Sequence, residues 1–264
     1  MGYTRLMFPF YNSIEYEFHY VGKYGLKGEK RTPRQKLTTE EQQRVNQRRK
    51  SRDMRHLIKA NFFQNDIWIT LKYPKGVRKP LEEIKRDFRN FITKLRLRYR
   101  KNGEDLKYIY RMEIGSRGGI HIHMIINRSR VRPDTEVLIQ ELWTYGRANY
   151  QNLYEEGGFK ELAEYIVKKP DEKVMKQIDK FQPEDQKEFI KYSCSRNLIR
   201  PVPERKEYKR WTLKDLIENG PKPTPGYYID KSSIESGINP FTGMSYLRYT
   251  EVRIKPLKRG DEDG

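Results

Sequence analysis

Cysteine is almost absent. Cys194 stands alone in 264 residues, which excludes an intramolecular disulfide and any thiolate metal cluster. No uninterrupted apolar run reaches the length that a membrane span needs. The first residues, M-G-Y-T-R-L-M-F-P-F, lack the basic segment, apolar stretch and small-residue cleavage site of a secretion signal. These absences point to a reducing, cytoplasmic compartment without a membrane, and to any metal being held by nitrogen and oxygen. Acidic side chains are also short, 36 against 55 lysines and arginines, for a net charge of +19. So large an excess argues for polyanion partners, nucleic acid first and an anionic membrane second. Apolar content is only 35%, yet 19 tyrosines, 11 phenylalanines and 3 tryptophans give a core large pieces to bury, unlike a disordered composition. At this length one large domain, or one domain with appendages, is expected rather than two equal ones.

Histidine is scarce too, with four in the chain, and two of them stand together. Residues 112–127 read M-E-I-G-S-R-G-G-I-H-I-H-M-I-I-N, two β-type runs flanking a glycine-rich loop, which predicts a β-hairpin. Alternation puts Ile120, Ile122, Met124 and Ile126 on a core face and His121, His123, Ile125 and Asn127 on the other. A five-residue loop, 115–119, sets Glu113 directly across from His121, whereas a loop one residue shorter would flip Glu113 into the core. Two imidazoles and a carboxylate on one patch of sheet suit a borderline divalent cation with positions left open for substrate oxygen.

Around this hairpin the chain alternates strand and helix signals. Tyr16, Phe18 and Tyr20 alternate with Glu17 and His19, an edge strand or arm. Residues 27–59 are strongly basic, and Thr38-x-x-Glu41 is a capping box that starts a helix running to about Ala60. Its sparse apolar residues leave most of it solvated or lying on phosphates. Ile67, Ile69, Leu71 and Tyr73 form a half-buried strand ended by Pro74. Pro80 opens a long amphipathic helix, and a shorter one spans about 133–143. Strand, helix, strand, strand is the order of an α+β fold, a central antiparallel sheet with flanking helices. After Gly157-Gly158 comes a helix whose stripe is Phe159, Leu162, Ala163, Ile166 and Val167. Tyr165 lies off that stripe beside Lys168 and Lys169, the makings of an oxygen nucleophile if cations and a polarised electrophile are near.

The chain resembles the HUH endonucleases on four segments: Ile67-Trp-Ile-Thr-Leu-Lys-Tyr73, Glu113, His121-Ile-His123 and Tyr165-Ile-Val-Lys168. More closely, it is similar to the single-tyrosine rolling-circle replication initiators (Rep proteins) of bacterial plasmids, phages and integrated elements, over about residues 60–200. Gly22-Lys-Tyr-Gly-Leu-Lys-Gly28 and Ser195-Arg-Asn-Leu198 add weaker likenesses. Conjugative relaxases generally place the tyrosine before the histidines, and no Gly-Lys-Ser/Thr nucleotide loop is present. The resemblance implies an HUH or RRM-like sheet, Mg²⁺ or Mn²⁺ on His121, His123 and Glu113, Tyr165 as nucleophile with Lys168 offsetting phosphate charge, and a 5′-phosphotyrosine intermediate. It implies single-stranded or hairpin-extruded origin DNA as substrate, a host helicase and replication machinery as partners, and a bacterial host cytoplasm. Lys169, Arg196, Arg48, Arg49, Arg52 and Arg117 are the candidate DNA-contacting cations. Alternatives are a single-tyrosine transposase with the same chemistry, or a nonenzymatic DNA- or RNA-binding protein. A His-x-His-x-His nucleotide hydrolase fits less well, because Ile125 fills the third position.

Toward the C-terminus the expectations are a charged helix from Pro183 to Tyr192, a loop over 193–197, and a short helix from Thr212-x-x-Asp215 ending before Gly220. Strands at 227–229 and 246–254 follow, around an Asn239-Pro-Phe-Thr-Gly243 turn, and then a frayed tail over 255–264. The division reads as 1–60 aromatic arm and basic helix, 61–200 endonuclease core, and 201–264 extension. The nickase reading requires the cation ligands to sit within one phosphate's width of the Tyr165 phenol.

Overall fold

The computed structural model describes residues 2–22, 24–154 and 156–257. Lys23, and residues 258–264 of the expected tail, lie outside the described residues. The chain runs β1 (Tyr3–Pro9), β2 (Ser13–Tyr20), α1 (Thr39–Lys59), β3 (Ile67–Lys72), α2 (Leu81–Lys101), β4 (Tyr108–Ile114) and β5 (Ile120–Ile126). It continues through α3 (Thr135–Leu142), β6 (Arg147–Asn152), α4 (Lys160–Val167), α5 (Glu172–Ile178), α6 (Pro183–Ile190) and β7 (Ser193–Cys194). Last come β8 (Glu204–Tyr208), α7 (Lys214–Asn219), β9 (Tyr227–Asn239) and β10 (Met244–Arg253). The strands make two five-stranded sheets, all antiparallel, and the helices flank them. This is the expected α+β class. The chain divides into two compact units, Arg49–Ile199, and Met1–Arg48 with Arg200–Gly264.

In the unit Arg49–Ile199 the strand order is β6-β3-β5-β4-β7. One face of this sheet is apolar because alternate residues of three strands are: Ile67, Ile69 and Leu71 on β3, Met112 and Ile114 on β4, and Ile120, Ile122, Met124 and Ile126 on β5. Helix α2 covers that face with Leu81, Ile84, Phe88, Phe91, Ile92, Leu95 and Tyr99, a stripe at helical spacing. The opposite face is covered only in part. Met54, Leu57 and Ile58 at the end of α1 and Phe159, Ala163 and Ile166 at α4 bury Ile109 and Ile125, leaving the rest of the face for polar side chains. Strand β6 and helix α5 go beyond the sequence expectations. Residues 147–152, R-A-N-Y-Q-N, have almost no β-branched character, and they form a strand because they occupy an edge, where only Ala148 and Tyr150 pack on the core.

The other unit has the strand order β8-β1-β2-β10-β9. Here the expectation of an N-terminal edge strand or arm gives way: β1 and β2 are interior strands, β1 between β8 and β2, and β2 between β1 and β10. Tyr3, Tyr16, Phe18, Tyr20, Leu247 and Tyr249 share its apolar face with Leu213. The Tyr16 and Tyr249 rings stack at 4.8 Å. Segments expected as a separate arm and a separate extension thus fold together, and the unit boundary falls inside α1, between Arg48 and Arg49. The capping box forms as expected, with Glu41 N–H donating to Thr38 Oγ1 (3.2 Å) and Thr38 N–H to Glu41 Oε2 (2.8 Å).

Candidate active site

The site is built on the β4–β5 hairpin. The loop 115–119 closes with Gly115 N–H donating to Gly119 C=O and Gly118 N–H to Gly115 C=O, both at 2.8 Å. Gly118 has φ +77°, a left-handed conformation that glycine adopts without steric cost. This turn fixes the register that pairs Glu113 with His121 and Arg111 with His123. On the other side of β5, Thr70 pairs with His123 and Lys72 with His121, and β6 brings Arg147 beside Lys72. One face therefore carries a polar row Arg147, Lys72, His121, Glu113 and a second row Asn149, Thr70, His123, Arg111. Thr70 Oγ1 lies 3.2 Å from His123 Nδ1. The ring's other nitrogen, Nε2, faces Glu113 Oε2 at 3.0 Å. Trp68 stacks on the His123 ring, centroids 5.5 Å apart and planes 14° from parallel.

Helix α4 brings in the tyrosine. Ala163 and Ile166 are buried against the sheet, which turns Tyr165, on the adjacent flank, to the rim of the polar patch. Its hydroxyl donates to Glu113 Oε2 at 2.7 Å and sits 3.2 Å from His123 Nε2. Its ring meets Trp68 edge-on at 5.7 Å. Arg111, only 5% exposed, fastens the helix end: Nη1 donates to the carbonyls of Ile166 (3.0 Å) and Lys168 (2.6 Å), and Nη2 to that of Phe189 in α6 (3.3 Å). Carboxylate, imidazole and phenol thus meet within hydrogen-bond distance.

Residues 66–170 match the family model of the replication-associated protein ORF2/G2P. That segment runs from the start of β3 to just past α4 and contains every residue of the cluster above. No curated protein and no solved structure matches the chain.

The electrostatics of the matched segment's cluster follow from its contacts. The hydrogen bond from His123, with that of Tyr165 and the charge of Arg111 in support, holds the Glu113 carboxyl down at about 2. Burial, then the neighbouring Lys72 and His123, lower the pKa of His121, which favours the neutral ring. Burial and the Glu113 carboxylate push the Tyr165 phenol up from its ordinary value, so at neutral pH it is a protonated donor rather than a phenolate. Burial pulls the Arg111 guanidinium down, and Glu113 and Tyr165 oppose that shift.

Of the expected site residues, Glu113, His123 and Tyr165 are brought together. His121 is one step away, its ring centroid 6.3 Å from that of His123. Among the described residues no three His, Cys, Asp or Glu side chains close around one point. Lys168 departs from the expected helical position. Helix α4 ends at Val167, and Lys168 is extended (φ −56°, ψ 135°) with its carbonyl, not its ammonium, engaged by Arg111. Pro170 explains the stop, because proline excludes the residue before it from the α region and clashes with the carbonyl four back. Lys169 and Arg196 are exposed on the segments after α4 and β7, and Arg117 is exposed in the hairpin loop. Arg49 is exposed on α1, Arg52 there pairs with Asp53 at 2.9 Å, and Arg48 belongs to the other unit. These cations are spread over several elements rather than gathered. Arg111 was not singled out by the sequence, and Trp68, Thr70 and Lys72 entered only as members of the segment 67–73, without a role in the site. Register with Glu113, His121 and His123 is the signal that would have found them.

Proposed function

We propose that this chain is a replication initiator that nicks and rejoins single-stranded or hairpin-extruded origin DNA through a 5′-phosphotyrosine. The observation that carries the reading is the Tyr165 hydroxyl at 2.7 Å from Glu113 and 3.2 Å from His123, inside a segment similar to replication-associated proteins. The donor chemistry fits a divalent cation, Mg²⁺ or Mn²⁺. Glu113 is held ionised, His121 is shifted toward the neutral ring, and His123 Nε2 faces the site, where the tautomer with its proton on Nδ1, donating to Thr70 Oγ1, would leave Nε2 a lone pair for the ion. Bound by these three residues, the ion would polarise a non-bridging oxygen of the scissile phosphate.

The chain's own residues then account for the transfer. Tyr165 Oη forms a bond to phosphorus, the bond from phosphorus to the 3′-oxygen breaks, and that oxygen leaves with the electron pair. The phenol gives up one proton and the 3′-oxygen takes one, so none is gained or lost overall. Held near 2, Glu113 is too weak a base to take the proton from a resting phenol. It orients the hydroxyl, and the proton departs only as the new bond forms. One phosphodiester replaces another, so attack by the 3′-hydroxyl on the tyrosyl linkage rejoins the strand.

The test incubates the protein with labelled single-stranded origin DNA and Mn²⁺ and looks for a covalent adduct on a denaturing gel. Tyr165→Phe is expected to abolish the adduct and leave DNA binding in place. His121→Ala with His123→Ala is expected to remove cleavage together with its metal dependence. An adduct that persists in Tyr165→Phe would move the nucleophile elsewhere, with Tyr192 the first candidate.

A further inference from the structure

At the end of the sheet, past His121, the chain after β3 and the hairpin loop enclose an open pocket of about 340 Å³, formed by residues 73–79, 115–121 and Ile84. Four cations line it, Lys75, Arg78, Lys79 and Arg117, and among the described residues no carboxylate does. Lys79 is already engaged, 2.6 Å from Asp87 and over the Tyr73 and Tyr145 rings at 5.3 Å. Arg78 is different. Its guanidinium is held by main-chain acceptors, the Arg117 carbonyl at 3.1 Å and the Val77 carbonyl at 3.0 Å, and no carboxylate pairs with it among the described residues. An arginine positioned by neutral acceptors keeps its full charge for an anion. Tyr73, Ile84 and Ile120, on the α2 side of the sheet's end and thus round that end from His121, give the same pocket an apolar wall. Cations beside an apolar wall are the two things a nucleotide presents surfaces for. The volume is at the lower end of the range for small-ligand sites, about 300 to 1,000 Å³.

Its place relative to Tyr165 says which nucleotide. Tyr165 touches Glu113 and His123. The pocket begins at His121, whose ring is 6.3 Å further along β5, and neither Tyr165 nor His123 lines it. In an in-line displacement the nucleophile and the leaving oxygen lie on opposite sides of phosphorus. With the scissile phosphate at the ion that Glu113, His121 and His123 would hold, in-line attack by Tyr165 would send the leaving oxygen to the side away from α4, where the hairpin loop lies. We infer that this pocket seats the nucleotide on the 5′ side of the nick, the one that leaves with the free 3′-hydroxyl. It rests on the nickase reading above. The pocket keeps the released end beside the tyrosyl linkage, poised to rejoin, and it is where the base before the nick is selected.

The experiment tiles 4-thiothymidine through single-stranded origin DNA, one position at a time, cross-links each strand to full-length Tyr165→Phe protein, and maps the peptide. In parallel the nick is located with the wild-type chain. The nucleotide immediately 5′ of the nick is expected to cross-link to residues 73–79 or 115–119. Arg78→Gln combined with Arg117→Gln is expected to cut that cross-link about tenfold, as loss of a charge-assisted contact would, and to slow rejoining more than nicking. Cross-links to these residues from the 3′ side, or none from the 5′ side, would overturn the assignment while leaving the nickase standing. A wild-type chain that forms no adduct at all would instead remove the nickase reading, and this assignment with it.

Discussion

Glu113 is the side chain on which the site's phenol and imidazole both converge. It accepts from Tyr165, lies 3.0 Å from His123, and its carboxyl is held near 2 against an ordinary 4.5. A carboxyl whose pKa is lowered by folding adds stability that is complete above its unfolded value. That stability is lost as pH falls through the folded one. The window here runs from about 4.5 down to about 2. Glu113→Gln removes this contribution, so the gap in unfolding free energy between wild type and variant should shrink as pH drops across that window. Urea melts at a series of pH values measure it, and parallel curves would mean that Glu113 is not held ionised by its neighbours. Strand alternation made Glu113, His121 and His123 legible as one face, since a period of two needs only the local sequence. Arg111 was not legible. An arginine on a strand reads as exposed, and only the fold shows that helix carbonyls have replaced its water.

Helix α4 is the element that brings Tyr165 to the polar patch. Its apolar stripe was readable because Ala163 and Ile166 follow helical spacing, and both are buried. Its ends were not. Phe159, counted with the stripe, stands before the helix with φ +61°, a costly conformation for an aromatic residue, retained where its ring is buried with Ile109 and Ile125. The C-terminal end is secured by Arg111 rather than by a glycine cap. Helices leave their last four carbonyls without partners, and here one guanidinium reaches two of them, those of Tyr165 and Ile166, together with the carbonyl of Lys168 just past the helix end. Arg111→Met fills similar space without the donors, and at about 1–3 kcal/mol per buried group left unpaired the fold should lose about 3 kcal/mol. Adduct formation should fall further than DNA binding, because the tyrosine is displaced while the basic surface is untouched. Chemical denaturation with a single-turnover adduct assay measures both. Unchanged stability would show the carbonyls to be solvated without Arg111.

At the scale of the whole chain, strand pairing sets the division into units. The sequence suggested three consecutive segments because local patterning carries no information about which distant strands pair. The structure instead inserts β1 and β2 between β8 and β10, joining segments at opposite ends of the chain, while the segment matching the replication-associated family stays within Arg49–Ile199. Removing residues 200–264 would strip β8, β9 and β10 and leave β1 and β2 as a hairpin with both edges bare. Two strands alone are marginal in water, and their unpaired edges invite association. Limited proteolysis of the truncated chain should therefore cut readily within residues 1–48 and leave a resistant fragment near Arg49–Ile199, located by mass spectrometry. That fragment contains Glu113, His121, His123, Arg111 and Tyr165, and it should retain adduct formation on single-stranded DNA if the site depends on its own unit alone. Protection of residues 1–48 in the truncated chain would contradict the strand order that makes them dependent on the C-terminal strands.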